Sequence, residues 1–352
     1  MELLWDYGTA YDFFASIHVL HNPTRFGLRG AWAAGVRSRL PAEARKTLEH
    51  AEKALFIPLH WIHALPSPKD AAAVLRLLAE MPAAERLPAL AFSPSSDEAM
   101  RSLLLSVGEK GAWSAEDLAV LRSLRKKRDW NAGKDVLEAI LSAWAEQETF
   151  GETLLAALQT YYEVFFAEEE SRIAAPLQAA TQKAQTLAKA MPWPQLLETL
   201  SQGVRFSMDT DAESLVLAAS YWTAPLVVFN RIAPRQWLFL FGARPADASL
   251  VPGEVVPDTL LRALKALGDP TRLRILRYLS QEPMTPSALA RKLRLRAPTV
   301  VHHLSILRLA GLVYLSVDIA HRKSERFYMA RAEKVQQTFA LLSAFLSGDD
   351  GG

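Results

Sequence analysis

At 352 residues, half of them hydrophobic, the chain is long enough for two domains that each bury a core, which excludes an intrinsically disordered protein. It contains no cysteine, so disulfides, thiolate zinc sites and cysteine nucleophiles are excluded, and an intracellular setting is in keeping with that. The net charge is only +2, yet it is unevenly spread: residues 1–257 sum to −5, residues 258–331 carry 14 Lys and Arg against 5 Asp and Glu, and residues 332–352 sum to −2.

The opening stretch MELLWDYGTAYDFF lacks the basic start and continuous apolar run of a secretion signal. The longest uncharged run, Ser214 to Asn230, falls short of a spanning helix and is interrupted by Pro225. A cytoplasmic protein with no membrane partner is expected.

Helical periodicity then predicts AYDFFASIHVL (10–20), PAEARKTLEHAEKAL (41–55), KDAAAVLRLLAEM (69–81), DEAMRSLLLSV (97–107), AEDLAVLRSLRKK (115–127) and a longer stretch from about Lys134 to Met191. Proline-rich joints LPSPK, FSPSS and MPWPQ separate these helices. Between residues 203 and 242 the pattern turns to short β-rich runs, VRFSM, SLVLAAS, PLVVFN and QWLFLF, spaced like a small antiparallel meander. Residues 246–257, within ARPADASLVPGEVVP, read as a linker.

This N-terminal region of 245 residues carries no dinucleotide-binding glycine motif, phosphate-binding loop, nucleophile elbow or paired-histidine zinc motif. His18 with His21, and His60 with His63, stand at i, i+3, where hydrogen-bonded core histidines outweigh a metal site; no metal or other cofactor is expected. The basic run RSLRKKRDW (122–130) reads first as a solvated helix end, with contact to DNA phosphates as the alternative. Tyr161, Tyr162, Phe165, Phe166, Tyr221 and Trp222 read as core, with room among them for an apolar ligand cavity. All nine tryptophans fall in this region, so tryptophan emission is expected to report on it alone.

The basic block that follows is punctuated more sharply. DTLLRALKALG places Leu260, Leu261, Leu264 and Leu267 along one helix and ends at Gly268, a residue suited to a left-handed cap. Asp269 and Pro270 open the next helix, whose inward stripe is expected at Leu273, Leu276 and Leu279; Thr285 and Pro286 repeat the cap-then-proline signal ahead of Leu289 and Leu293. A short connection through Leu295 and Arg296 leads to the helix APTVVHHLSILRL. Two short helices joined so tightly spell helix-turn-helix.

On a wheel of about 100° per residue, Val300, Leu304 and Leu307 share an inward arc, His302 lies roughly opposite with Pro298, and His303 sits at the boundary. Adjacent histidines diverge too far to share a metal by themselves. Beyond Gly311, LVYLSVD and SERFYMA read as strands around a basic tip IAHRK, which makes a wing. The last helix, AEKVQQTFALLSAFL, aligns Val335, Phe339, Leu342 and Phe345 or Leu346 on one stripe that needs a partner.

On the phrases LKALGDPTRLRILRYL and LARKLRLRAPTVVHHLSILRLAGLV and the wing, residues 258–346 resemble the ArsR-type, arsenic-repressor-like, winged helix-turn-helix transcription regulators. The resemblance implies a homodimer formed by the first and last helices of the module, with Leu261, Leu264, Val335, Phe339, Leu342 and Phe345 at the interface. It also implies an inverted-repeat operator in double-stranded DNA, faced by Thr285, Ser287, Arg296, Thr299, His302, His303, Arg322 and Lys323. Metal-sensing members carry a cysteine pair where Thr285 and Ser287 stand here, and metal ligands on the last helix where this chain offers Glu333 and no histidine. Control by metal is therefore not expected. ASIHVLHNPTRFGLRGAW near the start resembles an uncharacterised domain fused ahead of ArsR-type modules in some bacterial regulators.

The expected fold is mainly α with small β elements. It comprises a large α+β N-terminal domain for sensing or assembly (1–245), a linker (246–257), a winged helix-turn-helix (258–331), a C-terminal dimerisation helix (332–347) and a loose tail (348–352). The expected function is a transcription regulator, not an enzyme, controlled by a small organic effector through the N-terminal domain. An architectural DNA-binding protein whose N-terminal domain only mediates assembly is the alternative, and a DNA-tethered enzyme is a third class without a supporting motif.

Overall fold

The computed structural model describes residues 1–127, 133–207, 212–245, 256–318 and 326–347. In chain order its first half holds β1 (Glu2–Asp6), α1 (Ala10–His21), α2 (Gly30–Ser38), α3 (Ala42–Ala54), α4 (Leu59–Ala64), α5 (Ala71–Glu80), α6 (Ala83–Ala91), α7 (Glu98–Lys110), α8 (Ala115–Lys127), α9 (Lys134–Ala145), α10 (Gln147–Tyr161) and α11 (Ala167–Ala190). There follow α12 (Trp193–Leu200), β2 (Val204–Ser207), β3 (Ser214–Ser220), β4 (Val228–Ala233) and β5 (Gln236–Gly242). The last third holds α13 (Asp258–Leu267), α14 (Pro270–Leu279), α15 (Pro286–Leu293), α16 (Ala297–Leu309), β6 (Val313–Asp318), β7 (Phe327–Ala330) and α17 (Ala332–Ser347). Among the described residues no helix is long and apolar enough to cross a membrane.

The chain divides into two compact units, and they do not follow the expected boundary at residue 245. Met1–Thr181, Asp211–Thr223 and Val227–Ala243 form the first; Gln182–Thr210, Ala224–Leu226 and Arg244–Gly352 form the second. The expected linker lies almost wholly outside the described residues, as do the wing tip and the tail. The helical stretch expected from about Lys134 to Met191 is made of three segments, with a π-helical turn at Tyr162–Phe166 between α10 and α11.

The first unit is helical around one mixed sheet, in the order β1-β3-β5-β4. The antiparallel meander expected over 203–242 is not formed: β1 and β5 both run parallel to β3, and only β4 pairs antiparallel, with β5. The reason is visible in the strands. SLVLAAS and QWLFLF are apolar at consecutive positions and buried on both faces, as parallel strands are, whereas an open antiparallel meander alternates. Where α6 meets α10, a side chain at Gly151 would run into the Ala83 carbonyl, so only glycine lets the helices approach.

Two carboxylates, one buried and one half-buried, fix the start of this unit. Asp12 is fully buried and accepts hydrogen bonds from Ser220 Oγ at 2.7 Å and from the backbone N–H groups of Tyr221 at 3.1 Å and Trp222 at 2.8 Å. Burial pushes its carboxyl up to about 6 even against those donors. Asp6 is surrounded by Tyr11 Oη, His63 Nδ1 and Lys69 Nζ at 2.6, 2.8 and 2.6 Å. Burial works against its charge, but these three partners prevail and hold it down at about 2.

The second unit is the winged helix, extended by α12 and β2. Its core is Ile275, Leu279, Leu289, Leu293, Val300, Leu304, Leu307 and Leu312, each 5% exposed or less. The three-stranded sheet has the order β2-β6-β7, in which β2 pairs parallel with β6 from Val204 opposite Leu315 to Ser207 opposite Asp318. The run VRFSM therefore belongs to the wing sheet. Gln202 and Gly203 take positive φ values of 56° and 101°, and the turn they make lets Gly203 O accept from Leu315 N at 2.9 Å.

Candidate nucleic-acid interface

Helix punctuation in the second unit follows the capping chemistry. Asp269 Oδ1 accepts from Arg272 N at 2.9 Å and Thr285 Oγ1 from Ala288 N at 3.2 Å, each followed by a proline that needs no donor. Gly268 departs from expectation: its φ is −74°, and α13 ends without a left-handed residue. The left-handed cap falls instead on Arg294, with φ 55° at the end of α15, where it makes the tight turn into α16. On α14 the inward positions are Ile275, Leu276 and Leu279, and Leu273, expected inside, is 49% exposed.

α16 presents two faces. Val300, Leu304 and Leu307 are buried, and Pro298, Thr299, Val301, His302 and Ser305 are exposed. Arg296 is exposed at the N-cap, extended in backbone and free of any capping duty, so its guanidinium stands at the entrance of the helix. Arg291, Lys292 and Arg294 are exposed on the preceding helix and turn. Lys292 is held by Glu282 at 2.8 Å and lies over the Tyr278 ring.

The other expected DNA-facing residues divide. Ser287 is exposed, whereas the Thr285 hydroxyl is engaged as a cap and its residue is half-buried. The His303 side chain is only 15% exposed and turned toward Asp269, with Nδ1 3.9 Å from its Oδ1. Burial lowers its pKa, Asp269 opposing and Arg272 and His302 adding to the effect. Of the two histidines, His302 is the one that faces outward. Arg322 and Lys323 lie outside the described residues.

Arg308, a residue the sequence did not single out, is the basic side chain of α16 that points inward. It is 7% exposed and donates to the carbonyls of Ser201 at 2.6 Å and Gln202 at 3.2 Å, which ties α16 to the α12–β2 turn. Burial, with the nearby Arg331, lowers its pKa to about 10. Arg331 reinforces the joint from the end of β7, donating to Gln202 O at 2.8 Å and pairing with Glu333 at 3.1 Å. Arg205 of β2 stacks over Tyr314 of β6, its guanidinium carbon 4.1 Å from the ring centre.

This arrangement, two capped helices with an outward reading face beside a winged sheet, is a DNA-binding architecture. Residues 267–314 form a helix-turn-helix domain, as their match to the family of that description states. No curated protein is similar enough to match. Among solved structures, the chain is similar to the homodimeric winged helix-turn-helix DNA-binding domain of a possible ArsR-family transcriptional regulator from Mycobacterium bovis. The two share 26% identity over 27% of this chain and 83% of that chain, with a TM-score of 0.21. The helix-turn-helix match agrees with the ArsR-type resemblance of the sequence.

On α17 the surface is apolar where a helix in water would be polar. Phe339, Leu341 and Leu346 are 54%, 48% and 74% exposed, while Leu261, Leu264, Val335, Leu342 and Phe345 are half-buried. In the first unit, an open recess with about 40 Å³ of room for water-sized groups is lined by Phe14, Ile17, Leu48, Phe56, Leu154 and Leu158. Glu52 stands at its polar edge, bonded to His18 at 3.1 Å and Asn22 at 2.7 Å. The remaining paired histidines have partners: His21 with the Ile17 carbonyl, His60 with that of Ala89, and His63 with Asp6. Among the described residues no group of three or more acidic or imidazole side chains is placed to hold a metal ion.

Proposed function

We propose that the chain is a dimeric, sequence-specific transcription regulator of the repressor type, controlled by a non-metal small ligand bound in its N-terminal unit. The observation that carries this reading is the outward face of α16, where Arg296, Thr299 and His302 stand exposed on a helix whose opposite face is core. Arg296 takes guanine by two parallel hydrogen bonds, and Thr299 and His302 meet base edges or a thymine methyl. Ser287 and the wing residues Arg322 and Lys323 contact phosphates.

The exposed stripe of α17 supports the dimer, since an apolar helix face of this kind in water favours burial against a second copy. Two α16 helices then lie about 34–36 Å apart, one turn of DNA, and the operator is an inverted repeat. The cavity between Phe14, Leu48 and Leu158 supports the ligand role, being concave, mostly apolar and edged by one polar pair.

Genome-wide footprinting with the purified protein, with and without cellular metabolites, tests the reading. Protection of a short inverted repeat, relieved by a metabolite fraction, is the expected result. Uniform protection without sequence preference would instead mark an architectural protein.

A further inference from the structure

The winged-helix unit holds a second, open recess, with about 50 Å³ of room for water-sized groups, at the opposite end of α16 from Arg296. Its walls are the first turns of α13 at Asp258 and Arg262, the end of α16 at Leu309, Lys334 of α17, Arg244 and Gln202. All of these belong to the same compact unit.

Among the described residues that line it, Arg244, Arg262 and Lys334 are the cations and Asp258 the carboxylate. Arg244 donates to the Ala224 carbonyl and is anchored in the wall. Arg262 and Lys334 are half-buried. Burial lowers the pKa of Arg262, with Asp258 opposing, and burial together with Arg331 lowers that of Lys334. Partly desolvated cations gathered in one concavity are costly unless a negative charge accompanies them. A solvated basic edge would avoid that cost, as Lys265 does by standing exposed on the same helix.

Two further features favour an anionic guest. The N-cap of α13 is Pro257, which makes no side-chain capping bond, so the positive end of the helix dipole opens toward the cavity beside Asp258. Arg331 and Arg308 lie close behind Lys334 and Gln202 and extend the positive field. A guanidinium and an ammonium converging on one recess match a doubly charged group in both charge and donor geometry.

We propose that this cavity binds a small phosphate monoester, its dianion held between Arg262 and Lys334 and its organic part lying toward Gln202 and Leu309. The site is separate from the apolar cavity of the first unit, and it stands whether or not that cavity takes an effector.

Isothermal titration of the full chain with glycerol 3-phosphate, inorganic phosphate and succinate at constant ionic strength tests it. Saturable one-to-one binding of glycerol 3-phosphate is expected, weakened at least about ten-fold by Arg262→Gln and by Lys334→Gln. Arg262→Lys, which keeps the charge and loses the fork, should retain part of the affinity, and Lys265→Gln should retain all of it. Circular dichroism establishes which variants fold; if Arg262→Gln does not, Lys334→Gln decides alone. The proposal is overturned by an absence of saturation at millimolar ligand, by equal binding in all variants, or by succinate binding as tightly as the phosphate ester.

Discussion

The guanidinium of Arg308 donates to the main-chain carbonyl of Ser201 at 2.6 Å, joining α16 to a turn more than a hundred residues earlier in the chain. Arg308→Met keeps most of the apolar stem and removes the donors and the charge. It is expected to destabilise the winged-helix unit by about 2–4 kcal/mol, because the Ser201 carbonyl loses its charged donor inside the fold. Urea unfolding measures this. The salt dependence of DNA binding should stay at the wild-type slope, since Arg308 faces away from the exposed side of α16; a slope reduced by one would place it on the phosphates instead.

The same joint predicts how the protein can be cut. A fragment starting at Val255 retains the helix-turn-helix and wing but loses α12, β2 and the Ser201 and Gln202 carbonyls that accept from Arg308 and Arg331. A fragment that joins Gln182–Thr210 to Arg244–Gly352 through a short glycine-serine linker retains them and leaves out β3–β5, which belong to the first unit. The longer fragment is expected to melt a few degrees higher, roughly 2–4 °C for each kcal/mol as it nears 150 residues. Equal melting temperatures would mean that β2 adds nothing to the wing.

Asp12 gives the first unit a pH signature. Its folded carboxyl holds a proton up to about pH 6, against an ordinary value of 3.8, so folding favours the protonated form. The resulting contribution is fully present below pH 3.8 and is lost as pH rises through about 6. It amounts to about 3 kcal/mol across that window. The stability of wild type relative to Asp12→Asn should therefore decline between those two values and stay level above them. Asp6 acts in the opposite sense and in a lower window, losing its contribution as pH falls from 3.8 through about 2.

Phe339 tests the assembly. Its side chain is more than half exposed in the single chain, and in a dimer through α17 it would be covered. Phe339→Ala is expected to weaken dimerisation by about 2 kcal/mol or more, some thirty-fold, measured by sedimentation equilibrium. A wild-type monomer at micromolar concentration would remove the dimer from the proposal, and an undiminished mutant dimer would move the interface elsewhere.

Arg296 and Arg322 should fail in different ways. Arg296→Ala is expected to relax preference at one base pair by about 1–3 kcal/mol, while Arg322→Ala weakens all sequences alike and lowers the salt slope by about one. Binding selections at two salt concentrations separate the outcomes, and uniform loss in both variants would contradict the assigned roles.

The helix-turn-helix was legible because its signals are local. Asp269 and Thr285 each cap a helix within three residues of themselves, and Val300, Leu304 and Leu307 declare the inward face of α16 by spacing alone. What could not be read depended on distant partners. VRFSM sits beside SLVLAAS in the sequence, so pairing neighbours as hairpins was the natural expectation; the actual partner of its β2 residues, β6, lies beyond four further helices and three strands. Leu273 carried the right period for the core and is nevertheless exposed, because on α14 Ile275 takes the inward place. Trp193 likewise belongs by sequence to the N-terminal region and by packing to the winged-helix unit, so tryptophan emission reports on both units.

The parallel pairing of β2 with β6 also sets a timetable. Val204 leaves the ribosome 111 residues ahead of Leu315, its partner across the sheet. At ~5–20 residues per second, the strand waits roughly 6–20 s before the edge it will join has been made. Until then its backbone donors and acceptors are unpaired, and closing the sheet must gather a long intervening stretch of chain. Synthesis therefore completes the joint behind α16 only when the wing itself emerges.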